Sequence, residues 1–572
     1  MNKSKNILLT LFLAAVCIAV ILLARTNSSG RNITILNPFN DALFPAEFPA
    51  PAFEWRSQLQ DPSPWEVTLS VRKNDYSITD ITDKTIWRPE EPAWDSIKKL
   101  SENGKIFFRV RKHGNGGRGK QVVFRISPDS VGATVLYRQM PIPFVLAERE
   151  LESMNYMLID PGSPSPPHIA MKGFPVCGNC HSFSDDGKLL GLDLDAGRRD
   201  KGGYFLTAIS DTVVFDSDNF MSWSKHEKRS TFGLFSKISP DGRYVVTTLK
   251  DRVVAENPPL NSAENFAYSQ LFFPVNGHLA IYDRELKTLN DLPGANLEEF
   301  VQSNAFWTPD GKSIVFSRAK ALPRSDNVYE ITVSDREVLD SFVSGKKPFR
   351  YDICIIPFNN GKGGTAVPVK GASGNGKSNY FPTVSPDGKW IIYCQANSFM
   401  NLMPDSRLYI VPLKGGTPRL LDCNMYAMNS WHSWSPNGKW IIFSSKGLNI
   451  YTDLFLSHID KKGNASIPVL VDRAREYQRV CNYPEFINRN PKNKFSMKYD
   501  YVELAHIRYA LRDKDPEKAR QLFYRLIKQD PFMFSEDYSE LSGFLYRMGL
   551  KEEAVKYAEI AAKSLKSNIE AD

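Results

Sequence analysis

The feature that most constrains this chain is a turn that recurs five times. Ser184-Asp-Asp-Gly187, Ser239-Pro-Asp-Gly242, Thr308-Pro-Asp-Gly311, Ser385-Pro-Asp-Gly388 and Ser435-Pro-Asn-Gly438 each separate two short β-favouring runs. Proline fixes one φ of such a turn and glycine supplies the φ above zero. The run that leaves the turn is apolar and β-branched or aromatic, as in Tyr244-Val-Val-Thr-Thr and Trp440-Ile-Ile-Phe-Ser. A second strand pair follows, clearest at Ser406–Leu413 and Asp453–His458. Four strands per unit, repeated radially, make a β-propeller blade. The turn glycines lie 55, 69, 77 and 50 residues apart, so the loops between copies differ in length. Five copies are plain. A sixth is expected to use Cys481-Asn-Tyr-Pro-Glu-Phe-Ile487 and to borrow a strand from before residue 175, which joins the chain ends and removes free sheet edges.

These copies resemble the WD40-like Ser-Pro-Asp-Gly repeats of TolB-like propellers. The resemblance implies a six-bladed propeller, commonly a binding or scaffolding device in the periplasm, and it does not imply catalysis. Peptidases with a related propeller add an α/β-hydrolase domain. Here no Gly-x-Ser-x-Gly elbow follows residue 490.

The chain has 572 residues, enough for about two to four domains. Its 35 Phe and 23 Tyr favour pleated, aromatic-packed sheets. A net charge of +8, with no arginine stripe or basic helix, argues against a nucleic-acid partner. Seven scattered cysteines exclude a disulfide-dense scaffold.

The flanks read differently. Residues 1–30 hold Lys3, Lys5 and an apolar run from Ile7 to Ala24 closed by Arg25. As a helix that run rises about 27 Å against a hydrocarbon core of about 30 Å. The lysines stay cytoplasmic, so the reading is a single anchor in a bacterial inner membrane with the bulk in the periplasm, or a secreted form if the segment is cleaved. Residues 31–148 carry short alternating runs, Trp65–Val71 and Ile106–Arg111 among them, and a short helix near Asp95–Leu100. They resemble a fibronectin- or immunoglobulin-like β-sandwich, although Ala133–Tyr137 can equally belong to the next domain. The propeller spans 149–495. From 498 to 572 the apolar period becomes helical, with four helices starting at Tyr501, Asp515-Pro516, Ser539 and Lys551, and such antiparallel helix pairs joined at Asp-Pro or Gly resemble tetratricopeptide repeats. These helices, or a propeller face, would dock an envelope partner.

The sharpest chemical signal is Cys177-Gly-Asn-Cys180-His181, the C-x-x-C-H pattern that anchors haem c. It overlaps the first turn copy. The line Pro175–Ser184 resembles propeller proteins with a cytochrome c-type motif grafted at a blade edge, which implies thioethers from Cys177 and Cys180 and His181 on the iron. Met171, Met221 and His168 are candidates for the second axial position. Two other readings stand beside this one: a structural disulfide or thiol redox pair, and a chance match. His432 occupies the register of His181 without cysteines before it, so a histidine there also serves as a plain blade residue.

Two further patterns are decoys. Gly371–Ser378 spells a phosphate loop, but it runs into a blade strand where a helix N-terminus is required, so no nucleotide is expected. Asp185, Asp186, Asp193, Asp195 and Asp200 form an acidic cluster from which calcium binding is a minor expectation. Three functions follow in order: a haem-bearing electron-transfer or redox-linked component of an envelope complex, a non-enzymatic scaffold with structural cysteines, and a carbohydrate-active enzyme using the channel. The last has no identifiable carboxylate pair.

Overall fold

The computed structural model describes residues 32–569 apart from 59–61, 103, 115–118, 145–146, 148–152, 173–177, 196–200, 258–269, 325–329, 503 and 530–534. The expected anchor at 1–30, Cys177 and Asp200 lie outside the described residues.

The protein is mainly β. Its repeating turn has a definite hydrogen-bond set that explains the residues chosen. In Ser385-Pro-Asp-Gly388, Ser385 Oγ donates to Asp387 Oδ1 at 2.6 Å, which also accepts from Lys389 N at 3.1 Å. Ser385 Oγ in turn accepts from Trp390 N at 3.0 Å. The same three bonds recur at Ser184/Asp186, Ser239/Asp241, Thr308/Asp310 and Ser435/Asn437. The hydroxyl and carboxylate thus satisfy amides that a tight turn would otherwise orphan. The closing glycines have φ of +66° to +76°, a region costly for other residues.

Each turn joins the first two strands of a four-stranded unit. Among the described residues these units start with Gly178–Phe183, Leu234–Ile238, Phe300–Trp307, Ser378–Val384, Asn429–Trp434 and Arg479–Ile487. The first five continue in sequence order. In the sixth, Arg479–Ile487 pairs with Thr134–Pro141, which pairs with Asn155–Ile159, then His168–Met171. The last unit is therefore closed by strands from the other end of the chain, and Thr134–Pro141 lies in the propeller sheet although it precedes residue 148. The six first strands contact one another in cyclic order, and Arg479–Ile487 returns to Gly178–Phe183. Apolar layers fill the gaps between units, as with Val315, Ile353, Val384, Ile391, Tyr393 and Val411 between the third and fourth. Burial of this kind stabilises by roughly 25 cal/mol per Å².

Before the propeller, Ile33–Asn37, Phe53–Ser57 and Ile86–Trp87 form one sheet, and a five-stranded sheet packs against it. Trp65–Val71 alternates buried and half-buried positions along its length, as a one-sided strand must. One pairing departs from a purely antiparallel sandwich: Ala42–Phe44 runs parallel to Lys120–Ile126. A helix longer than expected, Glu91–Ser101, buries Trp94 against the core, and its indole donates to Phe48 O at 2.8 Å. This domain is fastened to the propeller by Arg475 with Glu54, Arg473 with Glu91, and His458 with Asp129, and by an apolar layer shared between Phe53 and Trp440.

After the propeller, Ser496–Tyr499 pairs in parallel with Thr212–Phe215. Helices Leu504–Arg512, Pro516–Lys528, Ser535–Arg547 and Lys551–Ile569 follow. Asp515 caps the second through Lys518 N at 3.0 Å, with Pro516 in the first turn. Among the described residues no helix is long and apolar enough to cross a membrane.

Candidate functional site at the channel mouth

Seven residues before each turn glycine, the first strand of every unit makes a one-residue bulge. The residues there are Cys180, Phe235, Asn304, Phe381 and Trp431, with Tyr483 at the matching place in the sixth unit. Phe235, Asn304, Phe381, Trp431 and Tyr483 all have positive φ, between 44° and 63°. A bulge turns its side chain out of the ordinary alternation, and here the side chains meet on the axis. Phe235 and Phe381 touch at 5.5 Å between ring centres, and Trp431 and Tyr483 at 6.3 Å. Asn304 Oδ1 accepts from Phe381 N at 2.6 Å. Below this constriction Lys237 and Glu485 form an ion pair, with the Lys237 ammonium also 5.2 Å from the Tyr483 ring centre.

The constriction separates two cavities. On the turn side a space of about 240 Å³ is rimmed by Pro240, Pro309, Pro386 and Pro436. On the other side a cavity of about 310 Å³ has Phe235, Trp431 and Tyr483 as its floor, and Cys180 opens into it. Its walls mix apolar side chains, Phe232, Phe272 and Leu402, with the charged groups Arg138, Lys201, Lys446 and Asp195. Arg138 donates to Gly178 O, and Lys201 pairs with Asp195 at 2.5 Å. Burial pushes the Lys446 ammonium down to about 8, so it remains charged at neutral pH. Desolvation pushes the Cys180 thiol up to about 12, with the Asp193 carboxylate adding to the rise. Such a thiol is a poor nucleophile.

His181 lies elsewhere. It is fully buried, facing the sixth unit among Tyr156, Phe183 and Tyr483. Its Nε2–H donates to Leu136 O at 3.3 Å. Burial depresses its pKa to about 3, aided by the Lys237 charge and opposed by that carbonyl bond. His432 repeats the arrangement, with Nε2–H on Ile392 O at 3.1 Å.

The expected haem ligands, as far as they are described, do not share one face of the strand in this structure. The bulge at Cys180 interrupts the alternation: Cys180 opens on the cavity while the imidazole of His181 is turned into the interface between units. In this structure the Nε2 of His181 is committed to a backbone carbonyl. The distal candidates do not converge on it either. His168 and Met171 lie on the outermost strand of the sixth unit and Met221 on the outermost strand of the first. Three strand spacings of about 4.8 Å place them roughly 14 Å from the channel-lining strands.

The other patterns are also placed. Asp186 caps its turn, Asp193 is buried against Ser236 N, and Asp195 pairs with Lys201. Among the described residues no group of three His, Cys, Asp or Glu side chains is arranged to hold a metal. In the phosphate-loop look-alike, Lys377 reaches Asn397 Oδ1 at 2.7 Å and Ser378 donates to Phe399 O, and the loop enters the strand Ser378–Val384. Apart from Cys180, no motif marks the constriction residues, although the copies aligned on their turn glycines bring them into one register.

No family model matches the sequence, and no curated protein matches it. Among solved structures the chain is similar to TolB from Acinetobacter baumannii, at 14% identity over 67% of this chain and 79% of that one, with a TM-score of 0.38. It is similar to a putative TolB from Agrobacterium tumefaciens at 14% identity over 62% and 98%, TM-score 0.32. It is also similar to a hydrazine synthase chain from Kuenenia stuttgartiensis at 14% identity over 54% and 71%, TM-score 0.29.

Proposed function

We propose that this chain is a six-bladed propeller of the bacterial envelope, anchored by residues 1–30 with its bulk in the periplasm, and that it works by binding rather than catalysis. The observation that carries this reading is the aromatic constriction across the channel. It converts a through-pore into an open-mouthed, blind cavity of about 310 Å³, within the range of small-ligand sites. The tetratricopeptide-like helices and the N-terminal sandwich flank the propeller as docking modules for an envelope partner. No acid–base pair or activated nucleophile lines the cavity among the described residues: its thiol is held protonated and its one carboxylate is paired.

A second reading, haem c held by Cys177 and Cys180 in a redox-linked component, is favoured by the opening of Cys180 into this cavity and by the cations around it. It would need His181 to leave its bond to Leu136 O, or another axial ligand in its place. One experiment separates the two. The full chain, purified from an envelope carrying haem-maturation machinery, is weighed by native and by denaturing mass spectrometry. A mass excess lost on denaturation supports the binding reading. An excess that survives denaturation, is accompanied by a Soret band and disappears in Cys177→Ser/Cys180→Ser establishes the haem reading in its place. Bare polypeptide in both spectra sinks both.

A further inference from the structure

We propose that the funnel on the turn side of the constriction binds a free α-amino acid with an apolar side chain. It is a second site, independent of the cavity on the other side. The register of the copies builds it in layers. Two places after each constriction residue the units carry Ser182, Lys237, Phe306, Thr383, Ser433 and Glu485. One place further come Phe183, Ile238, Trp307, Val384, Trp434 and Phe486, and the turn prolines form the rim. The whole lining of the funnel lies among the described residues.

In the first layer only Lys237 and Glu485 are charged, and they reach across the first unit to form an ion pair at the blind end. Their side chains are 13% and 18% exposed. A pair so far out of water adds little to stability over two apolar side chains. The other four units hold the same register without charge, so the fold does not call for the pair. It is nonetheless held in place. Trp307 Nε1 donates to Lys237 O at 3.1 Å, and the Tyr483 ring centre lies 5.2 Å from the ammonium. After one contact an ammonium keeps further donors and a carboxylate further acceptors, and these are what the pair offers to the funnel.

The pair selects the head of the ligand. A purely anionic head has Glu485 against it, and a purely cationic head has Lys237 against it. A zwitterion sets its carboxylate on Lys237 and its ammonium on Glu485, with charge-assisted hydrogen bonds at both, and brings no net charge into the channel. Asp185, at the rim in place of the proline of the other copies, is exposed, and water screens its carboxylate. The walls select the rest: Phe306, Trp307 and Trp434 offer rings to an apolar side chain. A volume of about 240 Å³ falls below the roughly 300–1,000 Å³ of drug-sized sites and suits a single amino acid.

The test is isothermal titration calorimetry of the full chain with L-leucine and L-phenylalanine, and with the N-acetyl and the amide form of each, which lack the ammonium and the carboxylate in turn. At least one free amino acid is expected to bind at one site per chain, at least tenfold more tightly than either of its blocked forms. Lys237→Met/Glu485→Gln removes both charges and leaves neither alone. It should weaken binding at least tenfold, with Glu485→Gln as a second variant and the thermal melt as a check on folding. Among the described residues neither Lys237 nor Glu485 lines the cavity beyond the constriction, so a loss in these variants belongs to the turn side. Absence of binding by both amino acids, or a blocked form within tenfold of the free one, overturns the proposal. So does an affinity unchanged in both folded variants.

Discussion

His181 and His432 make the same bond in two different units: each imidazole Nε2–H donates to a carbonyl on the second strand of the preceding unit, Leu136 O for one and Ile392 O for the other. Both rings are buried, and burial depresses their pKa values to about 3 and about 4. Each ring stays neutral in the folded protein while it protonates near 6.5 once unfolded. The stability they carry is present above pH 6.5 and is lost as the pH falls toward those folded values. Glutamine can place a neutral N–H near the same carbonyl. The variant His181→Gln/His432→Gln is therefore expected to flatten the loss of stability between pH 6.5 and 4, measured as urea midpoints across that range. An acid slope as steep as that of the parent would show that the two rings do not set it.

Asp193 tilts the profile the other way. Burial raises its carboxyl to about 7 against the opposing bonds from Ser236 and the Lys237 charge, and Asp251 is raised by burial to about 6. One Asp193 oxygen accepts from Ser236 N at 3.0 Å while the other, buried, has no partner. Both carboxyls hold a proton in the folded chain at pH values where the unfolded chain has lost it. Their stabilisation is complete below pH 3.8 and is lost as the pH rises through 6 to 7. Asp193→Asn keeps the acceptor and removes the charge. It should raise the melting temperature at pH 8 and leave it nearly unchanged at pH 4.5. An equal shift at both values would refute the assignment.

The turn glycines separate two costs that are usually mixed. Gly187 and Gly388 have nearly equal φ, +66° and +68°. A β-carbon on Gly388 meets nothing within 4 Å, whereas one on Gly187 falls 2.4 Å from Asn488 O at the seam where the sixth unit meets the first. Asn488 also donates to Asp185 O there, at 2.8 Å. Gly388→Ala should cost about 1–2 kcal/mol, the penalty of the left-handed backbone alone. Gly187→Ala should cost clearly more, because a backbone carbonyl of the closing strand has to move. Equal unfolding free energies for the two variants would mean that the seam yields freely.

The turns were readable because their hydrogen bonds demand particular side chains at fixed offsets, and the helices at the C-terminus because their apolar residues keep a period of 3.6. The constriction was not, since what Cys180, Phe235, Asn304, Phe381, Trp431 and Tyr483 share is a backbone bulge, and five of them share its left-handed φ rather than any side-chain chemistry. Cys177-x-x-Cys180-His181 has a related property: a spacing says which residues are near in sequence, and only the strand shows that Cys180 and His181 face different surroundings. The cations of the cavity, Arg138, Lys201 and Lys446, come from three separate units, a juxtaposition that no local pattern encodes.

The left-handed bulges give a prediction with an inverted order of side chains. Phe235 has φ of 60° and packs its ring on Phe381, while Phe316 sits fully buried in the strand Ser313–Lys320. Truncating either ring forfeits about 3–5 kcal/mol of packing. What differs is the backbone left behind. In an ordinary strand alanine is better than glycine by about 0.5–1 kcal/mol, because glycine has more freedom to lose. At φ of 60° the β-carbon of alanine crowds the following carbonyl at a cost of about 1–2 kcal/mol, which outweighs that entropy. Phe235→Gly should therefore be more stable than Phe235→Ala, and Phe316→Gly less stable than Phe316→Ala, in urea unfolding of all four variants. The same order at both positions would show that the strand relaxes out of its left-handed bulge once the ring is gone, and that the rings themselves hold the constriction in shape.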